Sequence, residues 1–246
     1  MKTKVWAHRG ASGYMPENTL PSFKKAVELG ADGVELDIQL SKDGEIVVCH
    51  DEVVDRTSNA KGWLKDYTLA ELKAMDFSYQ FKELGKVSIP TMKEVFELLK
   101  PTNLIINIEL KTGIFDYEGI EEKIIALTHA EGFEDRVIYS SFNHYSIMKI
   151  QELDPNAKTA FLYSDGPLDM PLYGYEHHVN ALHPAAYNLR LPNFMEECNV
   201  YHLDVNVWTV NTEEIALMCL KYGVNTLITN YPDRIKKVIE QYETGI

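Results

Sequence analysis

Apolar runs of strand length alternate along this chain with segments whose apolar residues recur every three or four positions. Residues 5–8 form the first run, ending in His8-Arg9-Gly10-Ala11. Pro16-Glu17-Asn18-Thr19 then opens a helix, with Asn18 or Thr19 as N-cap and Phe23, Ala26 and Val27 on one face up to Gly30. Residues 33–40 read as a second strand, Lys42-Asp43-Gly44 as a hairpin-type turn, and residues 45–49 as a third strand ending at His50-Asp51. From residue 52 to 88 the pattern is polar and poorly periodic, with one helix signal at 69–75 behind Thr68. That stretch reads as a small insertion spanning residues 51–88. Thr91 and Glu94 have capping-box spacing for a helix through Leu99.

The alternation then becomes regular. Strand 104–110 precedes helix 117–131, strand 136–141 precedes helix 146–153, and strand 159–163 follows. A weaker segment, 164–199, holds a short strand at 181–183 and a helix near 191–198. Strand 203–210, helix 213–222, strand 226–229 and helix 232–242 close the pattern. Repeated βα units mean a parallel sheet, and about eight strands in a chain of 246 residues favour closure into a TIM (β/α)8 barrel. The expectation is one catalytic domain over residues 1–246 with the small insertion after its third strand. No GxGxxG or GxxxxGK[ST] loop is present, which argues against nucleotide-binding folds.

Composition narrows the partners. Hydrophobic residues at 45% and charged residues at 25% suit a globular protein. A net charge of −13 disfavours nucleic acid and anionic membrane surfaces. The first residues lack the apolar core of a signal peptide, and no run approaches ~18 apolar residues, so no membrane anchor and a cytoplasmic location are expected. The three cysteines, Cys49, Cys198 and Cys219, show no CxxC spacing and read as reduced thiols. Cys49 beside His50 could be a nucleophile, but a packed thiol is the commoner role.

Glu35 and Asp37 lie two residues apart on a strand, so both carboxylates point to one side while Leu36 and Ile38 point to the other. Two carboxylates forced together repel unless a positive group sits between them, and a divalent cation with oxygen ligands meets that need. In an α/β barrel chemistry gathers at the C-terminal ends of the strands. Those ends carry His8 and Arg9, Glu35 and Asp37, His50, Glu109 and Lys111, Trp208 and Asn230. Buried parallel strands are nearly all apolar, so Asn107, Glu109 and Lys111 on one face of their strand call for a site. Taken singly, each of these residues could be structural: a hydrogen-bonded His, a solvated strand end, a core Trp. Collected at one end of one barrel, they fit hydrolysis of a phosphodiester. Glu35, Asp37 and Glu109 would hold a hard cation. Arg9 and Lys111 would bind phosphate, and His8 and His50 would exchange protons. There is no GxSxG elbow for a serine mechanism.

The series His8-Arg9-Gly10, Pro16-Glu17-Asn18-Thr19, Glu35-Leu36-Asp37, His50-Asp51, Asp55-Arg56-Thr57, Ile89-Pro90-Thr91, Ile108-Glu109-Leu110-Lys111 and Trp208-Thr209-Val210-Asn211 resembles the motifs of the glycerophosphodiester phosphodiesterase family, in order along nearly the whole chain. The resemblance implies a TIM barrel with an insertion after the third strand. It also implies metal-dependent hydrolysis of glycerophosphodiesters to glycerol 3-phosphate and an alcohol. His8 and His50 would be general acid and base, and Glu35, Asp37 and Glu109 would bind Mg²⁺ or Ca²⁺. Arg9, Lys111 and Trp208 are the candidate substrate contacts. The chain departs from the family in having Asn225 and Asn230 where Asp is usual. Segment 164–199 matches poorly and is expected to shape the pocket for the alcohol, with His183 a candidate neighbour of the substrate. Alternatives are a related phosphodiesterase of lysophospholipids or cyclic phosphates, and a phosphodiester-binding protein without turnover. The preferred alcohol, the metal and the oligomeric state are not legible in the sequence.

Overall fold

The computed structural model describes residues 2–245. The elements in order are β1 (Lys4–His8), α1 (Leu20–Glu28), β2 (Gly33–Leu40), β3 (Ile46–Val48), α2 (Leu69–Ala74), α3 (Met92–Leu99), β4 (Ile105–Leu110), α4 (Ile120–Glu131) and β5 (Val137–Ser141). They continue with α5 (His144–Leu153), β6 (Lys158–Tyr163), α6 (Met170–Glu176), β7 (Ala181–Pro184), α7 (Phe194–Val200), β8 (Asp204–Val207), α8 (Glu213–Tyr222), β9 (Thr226–Thr229) and α9 (Pro232–Thr244). Eight parallel strands run in the order β1-β9-β8-β7-β6-β5-β4-β2, and β1 pairs with β2 to close the ring. The fold is the TIM barrel that the βα repeat predicts.

Side-chain alternation divides the core in two. Outward residues such as Val5, Ala7, Leu36, Ile38, Ile108, Phe161 and Val205 pack with the helices in one large apolar cluster. The inward set is more polar: Trp6, Glu35, Asn107, His183 and Asn206 are all buried. Trp6 reaches across the barrel to His183, edge to face with ring centroids 6.1 Å apart. Gly33 makes room for it, since a Cβ there would lie 2.5 Å from Trp6 Cδ1.

The hairpin turn makes β3 antiparallel and puts it outside the ring, a ninth strand that pairs with the far end of β2, Ile38 to Leu40, and bridges Thr91 through Val47. β2 overshoots the barrel wall, and the turn at residues 41–45 sends the chain back. The Cys49 amide donates to Asp37 O at 3.0 Å, which leaves His50 level with Asp37 at the barrel mouth. The following residues, up to Ile89, fold around a second apolar cluster of Val47, Cys49, Val54, Leu64, Leu72, Met75, Phe77 and Ile89. Cys49 belongs to that packing, and burial pushes its thiol up to about 12, so it is an apolar filler and not a nucleophile.

Element ends shift where local chemistry competes. Thr19, not Asn18, is the N-cap of α1, with Ser22 closing a capping box. α4 starts at Ile120 and not at Tyr117, whose hydroxyl donates to Gln39 Oε1 at 2.7 Å. α5 begins at His144 because Asn143 caps it. Within 164–199 the helix α6 went unpredicted, since Pro171 and Gly174 mask its period. The helix expected near 191–198 is α7, which starts at Phe194 behind a separate 3-10 turn at Ala186–Arg190. The strand expected at 203–210 stops at Val207, with Trp208 making one further bridge to Ala185. Among the described residues no helix is long and apolar enough to cross a membrane.

His183 is fully buried in the barrel interior, where Asn206 Nδ2 faces its Nε2 at 2.9 Å. Burial pushes its imidazole down to about 3. The unfolded chain takes up a proton there below ~6.5 while the folded chain does not, so this residue lowers stability as pH falls from ~6.5 towards 3, by up to ~1.4 kcal/mol per unit. His183→Gln is therefore expected to flatten the dependence of unfolding free energy on pH between ~6.5 and ~4, read from denaturant titrations. A slope equal to that of the parent protein would rule out this role.

Candidate active site

The turn after β1 is unusual for its composition. Arg9 adopts a left-handed backbone (φ 54°) ahead of Gly10 (φ 77°), where a Cβ would lie 2.4 Å from Ser22 Oγ. This conformation aims the Arg9 amide at Glu35 Oε2, 2.9 Å away. The Arg9 guanidinium meets Glu17 Oε1 through Nη1 at 2.9 Å and lies 3.7 Å from Asp37 Oδ2 through Nε. Asn18, also left-handed (φ 55°), donates from Nδ2 to Asp37 Oδ2 at 2.8 Å.

Strand register completes the group. Asp37 on β2 pairs with Glu109 on β4, and Glu35 with Asn107. Glu35, Asp37 and Glu109 each offer an oxygen, and the three oxygens lie within 4.8 Å of one another. All three residues are buried. Burial, then the charges of Asp37 and Glu109, hold the Glu35 carboxyl well above the usual range. Burial and the Asp37 charge push Glu109 up to about 7, against the pull of Lys111, whose Nζ lies 3.0 Å from Glu109 Oε1. For Asp37 burial also works upward, but His50, Arg9, Lys111 and the Asn18 amide outweigh it and hold the carboxyl below its usual range. Asp37 Oδ1 is buried without a hydrogen-bond partner. An all-oxygen carboxylate set with an unpaired inner oxygen fits a hard divalent cation and not a thiolate-seeking metal.

The histidines flank this group with different partners. His8 Nδ1 donates to Asn230 Oδ1 at 2.7 Å, which leaves Nε2 unprotonated and 3.9 Å from Glu35 Oε2. Burial, then the Arg9 charge, push His8 down to about 4. His50 Nδ1 instead donates to the Asp51 carboxylate at 2.7 Å. Gln39, fully buried, fixes the backbone of this turn by donating to Cys49 O at 2.8 Å and Asp51 O at 2.9 Å.

Two cavities meet at His8 and Arg9. One, of about 50 Å³, has Glu35, Glu109 and His50 on one side and Phe142, Leu162, Trp208 and Ile228 on the other. The second, of about 240 Å³, is a polar cleft lined by Ser12, Glu17, Arg56, Tyr79, Gln80, Asn230 and Tyr231. The structure thus brings together His8, Arg9, Glu35, Asp37, His50, Glu109, Lys111 and Trp208, all named from sequence. His183 lies beneath the site and lines neither cavity. Nor does segment 164–199 line either one; within it His183 holds Trp208, whose Nε1 donates to His183 O at 2.8 Å.

Sequence reasoning left Glu17, Asn18, Gln39, Asp51 and Arg56 without roles in the site. Gln39 had a signal: it continues the parity of Glu35 and Asp37, a third polar residue on the inner face of an apolar strand. The others sit in loops, where no periodicity marks an inward residue.

The sequence model of the glycerophosphoryl diester phosphodiesterase family matches residues 8–234. Similar proteins include a glycerophosphodiester phosphodiesterase of Caldanaerobacter subterraneus subsp. tengcongensis, 43% identical over 98% of this chain and 99% of the relative. Another, of Bacillus altitudinis, is 41% identical over 97% and 99%. Among solved structures, an Oleispira antarctica phosphodiesterase in complex with the product sn-glycerol-3-phosphate is 29% identical, with a TM-score of 0.86 over 97% of each chain. The glycerophosphodiester phosphodiesterase of Thermotoga maritima, also 29% identical, has a TM-score of 0.78 over 97% of this chain and 99% of its own. With the match spanning the first and last loops of the barrel mouth, the chain belongs to the glycerophosphoryl diester phosphodiesterase family.

Proposed function

We propose that this enzyme hydrolyses small glycerophosphodiesters, such as glycerophosphocholine and glycerophosphoethanolamine, to sn-glycerol 3-phosphate and an alcohol. The observation that carries the reading is the placement of three buried carboxylates between two histidines with opposite partners. Glu35, Asp37 and Glu109 would hold Mg²⁺ or Ca²⁺, which when bound supplies Lewis acidity towards the phosphate and offsets its growing negative charge. Arg9 and Lys111 orient the phosphate from the two sides of the carboxylate group. Trp208 and Phe142 stand edge to face, ring centroids 5.7 Å apart, as an aromatic wall against the carbon side of the substrate.

The partners of the histidines divide their work. His8 is held neutral, its Nε2 lone pair free, and takes the proton of the oxygen nucleophile, whose oxygen ends on phosphorus as the ester bond to the alcohol breaks. On His50 an imidazolium finds a carboxylate 2.7 Å away and can give a proton to the departing alkoxide, a poor leaving group without one. The polar cleft of Tyr79, Gln80, Ser12 and Tyr231 has room for the alcohol. A cytoplasmic setting agrees with three buried, unpaired cysteines.

Two outcomes test this. Glycerophosphoethanolamine should release glycerol 3-phosphate, detected by a coupled dehydrogenase assay, only with divalent cation present. His8→Ala and His50→Ala should each lower kcat at least ~100-fold, whereas loss in Glu35→Ala should be partly restored by excess cation. No product at any cation concentration would overturn the reading. Cation binding is expected to raise Tm and, because Glu35 and Glu109 bind protons more tightly than ordinary carboxylates, to release protons at pH 7. Calorimetric titrations in buffers of different ionisation heat measure that release, and Glu109→Gln should diminish it.

A further inference from the structure

Two motifs, Pro16-Glu17-Asn18-Thr19 and Asp55-Arg56-Thr57, come from different parts of the chain and converge beside the histidines. Arg56, from the insertion, places Nε 2.7 Å from Asp51 Oδ2 and Nη2 2.9 Å from Asp51 Oδ1. Its other edge meets Glu17, with Nη1 2.7 Å from Oε2 and Nη2 2.7 Å from Oε1. Glu17 Oε1 also accepts from Arg9 Nη1 at 2.9 Å, and Asp51 Oδ1 accepts from His50 Nδ1 at 2.7 Å. The chain of contacts is continuous: His50, Asp51, Arg56, Glu17, Arg9.

We infer that Arg56 and Glu17 are positioning residues that lock the His50–Asp51 pair to the phosphate-binding Arg9, so that proton donor and phosphate clamp keep one fixed spacing. The inference rests on the proposed hydrolysis and adds to it an action at a distance from the substrate's reacting atoms. A planar guanidinium is the side chain suited to this place, because only its fork can meet two carboxylates with parallel N–H···O bonds at once. Asp51 has two oxygens to orient. With Arg56 holding both, the one that faces His50 cannot swing away, and the imidazole keeps its Nδ1–H on Asp51 and its Nε2–H towards the leaving oxygen. Glu17 works the same way on the other side, one carboxylate shared by two arginines.

A positioning role through the proton donor makes a prediction that general support of the fold does not. An alkoxide needs a proton as it leaves and p-nitrophenolate does not, so a misplaced donor slows the first ester and spares the second. With glycerophosphoethanolamine, Arg56→Gln should lower kcat by ~10–100-fold, the usual effect of removing an outer partner of a functional group. With the p-nitrophenyl ester of glycerol 3-phosphate the loss should stay within ~3-fold, and Mg²⁺ affinity by calorimetry should be unchanged. Glu17→Gln should show the same selectivity in kcat, together with a raised KM for both esters through Arg9. The double variant should be no worse than the poorer single one within ~3-fold, since both cut one connected unit. Equal losses on the two esters, or losses that multiply in the double variant, would overturn the inference. If Arg56→Gln does not fold, Glu17→Gln carries the same comparison alone. A parent protein active on neither ester would instead overturn the proposed hydrolysis, so the two failures are distinct.

Discussion

Everything at the barrel mouth answers to the mutual repulsion of three carboxylates that water hardly reaches. Oxygens within 4.8 Å of one another repel by roughly 3–4 kcal/mol or more per ionised pair at an effective dielectric constant of about 20. The fold offsets part of this with fixed donors: the Arg9 amide on Glu35, the Asn18 amide on Asp37 and the Lys111 ammonium on Glu109. The remainder appears in the raised proton affinity of Glu35 and Glu109 and in the unpaired Oδ1 of Asp37. A site so arranged stores a demand for positive charge, which a divalent cation and the transition state of a cation-assisted reaction can both use.

The backbone conformations around the site follow from that demand. Arg9 and Asn18 both occupy the left-handed region, which is uncommon for non-glycine residues, and each thereby points a donor at an acid. The overshoot of β2 serves the same end. Had the chain turned into a helix after Asp37, as at the other strands, His50 would not return to the mouth. The hairpin to β3 and the buried Gln39 amide set the His50 turn against the barrel wall.

How much of this was legible depended on whether geometry passes through periodicity. Parity on β2 and β4 put Glu35, Asp37, Asn107 and Glu109 on one face, and the barrel rule then gathered the strand ends, so most of the chemistry-bearing residues could be named from sequence. Position 39 obeys the same parity, and its buried amide holds the backbone of the His50 turn. By contrast, Glu17 meeting Arg56 is a contact across 39 positions between two loops, and no local pattern encodes it. The role of β3 was hidden for another reason: a strand's run of apolar residues does not say whether its partner lies inside the barrel or beyond its rim. Segment 164–199 carries no motif of the series, and the contacts by which its strand end holds Trp208 are long-range contacts through its backbone that no local pattern marks.

This division between strands and loops bears on how the enzyme can change its substrate. The acids stand on β2 and β4, and His8 ends β1, so the reacting centre is tied to the barrel wall. Tyr79 and Gln80, which line the polar cleft, stand on the insertion, where replacement would reshape that cleft without moving an acid. Yet the insertion is not free to vary throughout, because Arg56 belongs to it and joins both His50 through Asp51 and Arg9 through Glu17. Its apolar cluster also includes Val47 and Cys49, the residues that lead into His50. The insertion therefore has a tied end and a freer one: the part near residue 56 links the His50–Asp51 pair to Arg9 through Glu17, and the part near residues 79–80 lines the polar cleft.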